Sequence, residues 1–179
     1  ADTDFFELFF YGLWRVLPMI IVSYVVGLGI EFAAAQIRGH EINEGFLVSG
    51  LLIPMIMPIN APLWMVGVST AFAVIIGKEI FGGTGMNIWN PALLARAFFF
   101  FSYPSMISGD KVWIAGMPDG FSQATPLAEA AQGLPTTYDM SSMFWGLIPG
   151  SVGETSTFCI LLGAILLIAT GIGSWKIML

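Results

Sequence analysis

Charge is what this sequence has least of. Of its 179 residues, six are Lys or Arg and twelve are Asp or Glu, so charged residues make up 10%. A soluble domain carries about 25%. So few charges cannot coat a soluble body of this size, which excludes a soluble enzyme. A net charge of −6 without any basic cluster excludes a nucleic-acid binder. One cysteine, Cys159, excludes an internal disulfide. It sits in an apolar run, where a buried structural thiol is expected. One histidine, His40, excludes a zinc set built on paired imidazoles. Hydrophobic residues, at 56%, exclude a disordered chain. The start, Ala1-Asp2-Thr3-Asp4, carries neither an initiator Met nor a signal peptide's basic segment. No polar tail follows Ile177-Met178-Leu179. A piece of a larger integral membrane polypeptide is the expectation.

Apolar runs are what the chain does have. A spanning helix needs about 20 of these residues. Trp14 to Ile37 and Phe158 to Trp175 satisfy this, and Pro62 to Gly77 does so if Lys78 snorkels to the interface. Two further stretches are broken. Residues 45–58 contain Gly50, Pro54 and Pro58. Residues 82–103 open with Gly-Gly-Thr-Gly and pass Asn87 and Asn90-Pro91 before a helical stretch. Asn90 fits an N-cap there, with Pro91 at the first helical position. Interrupted segments at membrane depth must be covered by protein or line a cavity, and they point to a buried ligand site. Residues 102–156 hold five acids, Asp110, Asp119, Glu129, Asp139 and Glu154, and one base, Lys111. They read as a long aqueous loop with a short helix near 126–132. Placing this loop outside puts Arg38, Lys78 and Lys176 on the cytoplasmic side and Arg15 and Lys111 outside, the sign the basic residues favour.

Several residues carry candidate chemistry. Glu31 lies in an apolar run, where a carboxylate is costly and is a candidate for cation or proton handling. It can equally be an interfacial acid at a helix end. His40-Glu41 and Glu44 read as a solvated turn. Gly77-Lys78 is no phosphate-binding loop, because the glycines follow the Lys. Asn87, Asn90 and the glycines before them offer donors and acceptors suited to a planar polar heterocycle. Equally, both Asn can satisfy the broken backbone itself. Arg96 must pair or snorkel. Thr125-Pro126, read alone, is a helix start with Thr125 as the N-cap.

Four stretches together resemble one family. They are residues 40–46 (HEINEGF), residues 78–93 (KEIFGGTGMNIWNPAL), residues 107–113 (ISGDKVW) and residues 148–154 (IPGSVGE). The set is similar to the B subunit of the bacterial sodium-translocating NADH:quinone oxidoreductases, in one order and over nearly the whole chain. The resemblance implies a covalent flavin, with FMN joined by its phosphate to the Thr125 hydroxyl. Asp119, Ser122, Ala124 and Thr125 match the attachment motif, whereas Gln123 stands where the family has Gly. It also implies riboflavin as a second, noncovalent flavin near Asn87 and Asn90. Glu31 falls where the family has an acid tied to sodium, and Gly27 is a quinone candidate, although Gly27-Leu28-Gly29 departs from the family's paired glycines.

The expected fold is therefore all-α and polytopic, with about five crossings, two of them interrupted, as part of a ten-helix inverted-repeat fold. Residues 1–101 would hold the helices of the first repeat. Residues 102–156 would be the extracytoplasmic flavin loop, and residues 157–179 the first helix of the second repeat, in a bacterial inner membrane. The implied activity is that of a translocase subunit passing electrons to quinone, coupled to Na+ export. Its implied partners are the other members of a six-subunit complex, an FMN-attaching transferase, quinone, Na+ and lipid, with no nucleic acid. The alternatives are the related D subunit of the Rnf complex, and a cofactor-free channel or scaffold. An oxidoreductase of this kind relies on its flavins for chemistry, and the protein supplies placement and the ion path.

Overall fold

The computed structural model describes residues 5–39, 44–107, 126–135, 138–153 and 155–178. Among these residues every regular element is helical. The first, α1 (Phe5–Arg38), is 34 residues long, or about 51 Å at 1.5 Å per residue. It starts well before the Trp14 expected from hydropathy alone, because Phe5–Leu13 continue the helix without a breaker. Pro18 lies inside it and removes the hydrogen bond to the Trp14 carbonyl.

The next helix, α2 (Phe46–Met55), has only ten residues. It runs back against α1: Gly50 packs on Tyr24 and, nearer the start of α2, Phe46 packs on Gly27. The break expected from Gly50, Pro54 and Pro58 falls after Met55, with Gly50 and Pro54 both inside the helix. At that end the Gly153 N–H donates to the Met55 carbonyl at 3.1 Å. The stretch before residue 154 thus satisfies one of the carbonyls that a helix end leaves open.

The third helix, α3 (Leu63–Gly77), returns parallel to α1. Gly67 faces Val22 and Val26, and Lys78, just past α3, meets Glu31. A single 3-10 turn follows at Glu79–Phe81. Then α4 (Pro91–Ser102) runs antiparallel to α3. Leu94 packs on Gly77, Phe98 stacks on Phe72 at 4.3 Å between centroids, and Tyr103 meets Trp64 edge-on at 5.6 Å. Met19, Ile53, Met57, Val66, Ala95 and Phe99 are buried where these four helices meet. Outward side chains such as Trp14, Val25, Trp64 and Phe101 are exposed and apolar, as a lipid-facing surface requires.

Short helices follow, α5 (Pro104–Ile107), α6 (Pro126–Ala131) and α7 (Met140–Trp145), then α8 (Thr157–Ala169) and α9 (Trp175–Met178). The short helix expected near 126–132 is α6. Before α7, the Ser141 hydroxyl donates to Asp139 at 2.7 Å and holds that carboxyl below the usual aspartate range. Two helical stretches, Phe9–Arg38 and Leu63–Phe81, are long and apolar enough to cross a membrane. The last apolar run differs from expectation. Its helix stops at Ala169, because Gly171 takes a positive φ of 73° and ends it. Cys159, on α8, is exposed rather than buried, because α8 packs chiefly on α7 and buries none of its residues.

Candidate functional site

Tyr24, Gly27 and Glu31 recur at the three- and four-residue spacing that aligns side chains on one face of a helix. That face of α1 meets the start of α2 and the end of α3. Tyr24 donates its hydroxyl to the Leu47 carbonyl at 2.5 Å and meets the Phe46 ring edge-on at 6.5 Å. Gly27 leaves the space the ring fills, since a Cβ there would overlap it. Phe46 is fully buried as a result.

Lys78 completes the cluster. Its ammonium pairs with Glu31 Oε1 and lies 5.6 Å from the centre of the Phe46 ring. Lys78 is 3% exposed and Glu31 6%. One expectation is corrected here: Lys78 turns inward onto Glu31 instead of snorkelling, and the Glu31 carboxylate is buried within the protein. Each charge is too costly to bury alone, and each neutralises the other. The other carboxylate oxygen, Glu31 Oε2, is buried without a hydrogen-bond partner. Nearer the surface, Arg38 and Glu79 pair at 3.6 Å, with the Arg38 side chain 38% exposed.

The glycine-rich turn lies at the same end. Gly82, Gly83 and Gly85 have φ of 115°, 95° and 88°, which only glycine adopts freely. A Cβ on Gly45, just before Phe46, would come within 2.5 Å of Thr84 Cγ2, so the turn packs on the entry to α2. Asn90 Oδ1 accepts from the backbone N–H of Ala92 at 2.9 Å and of Leu93 at 3.4 Å. Asn87 Nδ2 donates to the Trp89 carbonyl at 2.9 Å. Both Asn therefore satisfy the interrupted backbone, one of the two roles their chemistry allows. What they leave for a ligand is the Asn90 amide N–H2 and the Asn87 amide oxygen. Beside them, Met86, Ile88 and Trp89 are exposed, and a Cβ on Gly83 or Gly85 would meet open space. A planar heterocycle with donors and acceptors on its edge fits that combination.

At the opposite end, α1 and α3 form an open groove of about 320 Å³ lined by Trp14, Leu17, Pro18, Ile21, Val22 and Leu63. Without a charged side chain it suits a hydrocarbon tail and no reaction. Asp119, Ser122, Gln123, Ala124 and Thr125, like His40, Glu41 and Glu154, lie outside the described residues. Pro126, next after Thr125, is the first residue of α6.

The sequence did not single out Phe46 or Tyr24, and it read Lys78 as an interfacial charge. One signal was present: Glu31 and Lys78 are opposite charges set in apolar runs, and such residues usually pair.

Comparison with known proteins extends this picture. The family model described as "NQR2, RnfD, RnfE family" matches residues 3–179. The chain belongs to this family. Among curated relatives, the B subunit of the Na(+)-translocating NADH-quinone reductase of Chromohalobacter salexigens is 50% identical over 175 residues, 96% of this chain and 42% of that protein. The protein of the same name from Pseudoalteromonas atlantica is 46% identical over 182 residues, 99% of this chain and 45% of its own length. That of Klebsiella pneumoniae is 45% identical over 186 residues, again 99% and 45%. The chain thus spans somewhat less than half the length of these NQR2-type relatives.

Proposed function

We propose that the chain is the flavin-bearing part of a B subunit that carries electrons to quinone and couples this to Na+ export. The observation that carries the reading is the identity of 50% over 96% of the chain to a protein of that name. The Asp119, Ser122, Ala124, Thr125 pattern adds to it. FMN is held covalently at Thr125 after modification by a partner transferase, in a loop outside the inner membrane. Riboflavin lies against Asn87 and Asn90. Flavins supply the one- and two-electron chemistry when bound. This chain anchors one through the Thr125 hydroxyl and orients the other through the two Asn amides, which are fixed by their own bonds to Trp89, Ala92 and Leu93. Gly27 serves the quinone site by seating Phe46, and Glu31 lies on the ion path. The fold is the first part of a ten-helix inverted repeat with about five crossings in this chain, and the partners are the other members of a six-subunit complex.

The sidedness rests on the basic residues, and the packing shows which groups share an end of the bundle. Arg38 pairs with Glu79 at one end, while Tyr103 meets Trp64 and Gly153 meets Met55 at the other. Although the family name also covers RnfD, the three relatives named above carry the quinone reductase name, which favours quinone over ferredoxin partners. The test is a denaturing gel of the full-length protein, expressed with its transferase and viewed under ultraviolet light. A fluorescent band that Thr125→Ala abolishes is expected. An intact mass equal to the bare polypeptide would overturn covalent attachment.

A further inference from the structure

Glu31 and Lys78 sit deeper than the Arg38–Glu79 pair, and nothing about folding demands them. Well-packed apolar residues stabilise such a position as well as a buried ion pair does, so the pair itself is weak evidence of a role in stability. Its surroundings have one property in common. The carboxylate is negative and offers a second buried oxygen, Oε2, without a hydrogen-bond partner. The Phe46 ring presents its electron-rich face to the ammonium at 5.6 Å. The end of α3 at Gly77 contributes the negative pole of a helix. Each of these groups attracts a compact monovalent cation, and the ammonium of Lys78 takes that place.

We propose that Lys78 is a tethered competitor for the transported cation: Na+ binds Glu31 when the Lys78 ammonium leaves it. This rests on the reading that Glu31 lies on the ion path. The exchange keeps Glu31 neutralised in both states, so no bare carboxylate is ever buried. One positive charge enters as another departs. Lys78 has a place to go. It caps α3 with non-helical φ and ψ of −127° and −59°, and the next residue, Glu79, is a partly buried carboxylate, less enclosed than Glu31, already facing Arg38. The charged groups around the exchange are therefore Glu31, Glu79 and Arg38. Lys78 here is a positioning residue that sets how much sodium Glu31 requires.

The test uses the assembled respiratory complex containing this protein. Turnover with NADH and quinone is measured against Na+ concentration at constant ionic strength, and the thermal midpoint is measured in NaCl and in choline chloride. Removing the competitor in Lys78→Met or Lys78→Gln lowers the half-saturating Na+ concentration by about tenfold. It also enlarges the thermal shift given by Na+. Lys78→Arg keeps the buried pair neutral, and so the fold, but grips the carboxylate with two parallel bonds. It raises the half-saturating concentration by about tenfold. Half-saturation unchanged in Lys78→Arg, or unchanged or raised in the neutral variants, would overturn the proposal. Glu31→Gln separates the two levels. Loss of its sodium dependence with unaffected Lys78 variants sinks only the tethered competitor. Retention of wild-type sodium dependence in Glu31→Gln sinks the ion-path reading itself.

Discussion

Gly27 owes its identity to its neighbour. The α1 face at this position closes onto the Phe46 ring, and any Cβ would overlap it. Phe46 is fully buried, so the ring has nowhere to retreat. Gly27→Ala is expected to destabilise the protein by about 1–3 kcal/mol, as overpacking does. Phe46→Leu in the same chain should recover part of that loss. A double-mutant cycle on the thermal midpoint checks this. Strict additivity of the two substitutions would count against the contact. Displacing Phe46 would also disturb the ring face next to Lys78. Glu31 and Lys78 differ from Gly27 in kind. Their identities are fixed by charge, and either one alone would be a buried, uncompensated ion.

At the scale of elements, the interruptions are built from ordinary helix-end chemistry. Asn90 caps α4 through Oδ1, with Pro91 supplying a residue that needs no hydrogen bond there. The far end of α2 is closed by a partner distant in sequence, the Gly153 N–H on the Met55 carbonyl. These two devices satisfy backbone groups where α4 begins and α2 ends. Asn90→Ala is expected to cost about 1 kcal/mol of stability, and Asn90→Ser or Asn90→Asp to retain most of it. Riboflavin content after acid extraction of the complex separates the two uses of the side chain. If the amide N–H2 also holds the flavin, Asn90→Ser keeps the thermal midpoint but loses riboflavin. Full riboflavin in Asn90→Ser would restrict Asn90 to capping. The capping role of Asn90 was legible in the sequence because an N-cap and its N1 proline are neighbours in the chain. The end of α2 was not legible, because the Gly and Pro residues announce a break without saying where it falls.

For the whole molecule, the half-length α2 sets the topology. It carries the chain back between two longer helices, so that α1 and α3 run parallel and their later ends meet. Arg38 and Lys78 then lie toward one end, and Trp14, next to Arg15, lies with Leu63 and Tyr103 toward the other. In a Cys159→Ser background, Arg38→Cys and Arg15→Cys should react with a membrane-impermeant maleimide from opposite faces. Leu147→Cys, exposed near α7, should react from the face of Arg15. Labelling of Arg38→Cys and Arg15→Cys from the same face would refute the arrangement. The substitution of Cys159 matters because that thiol is itself exposed and would react.

The order of residues alone establishes that the chain is a helical membrane protein, that its apolar stretches are interrupted somewhere within residues 45–58 and before Pro91, and which family it resembles. All three follow from composition, hydropathy and capping residues that act over a few positions of chain. The pairing of Glu31 with Lys78, the seating of Phe46 on Gly27 and the closure of α2 by Gly153 come only from the way the helices pack. Each joins residues on different elements. Hydropathy says which face of a helix avoids water, but inside a bilayer nearly every face does. Which side chains finally meet therefore depends on the register and direction in which the helices pack.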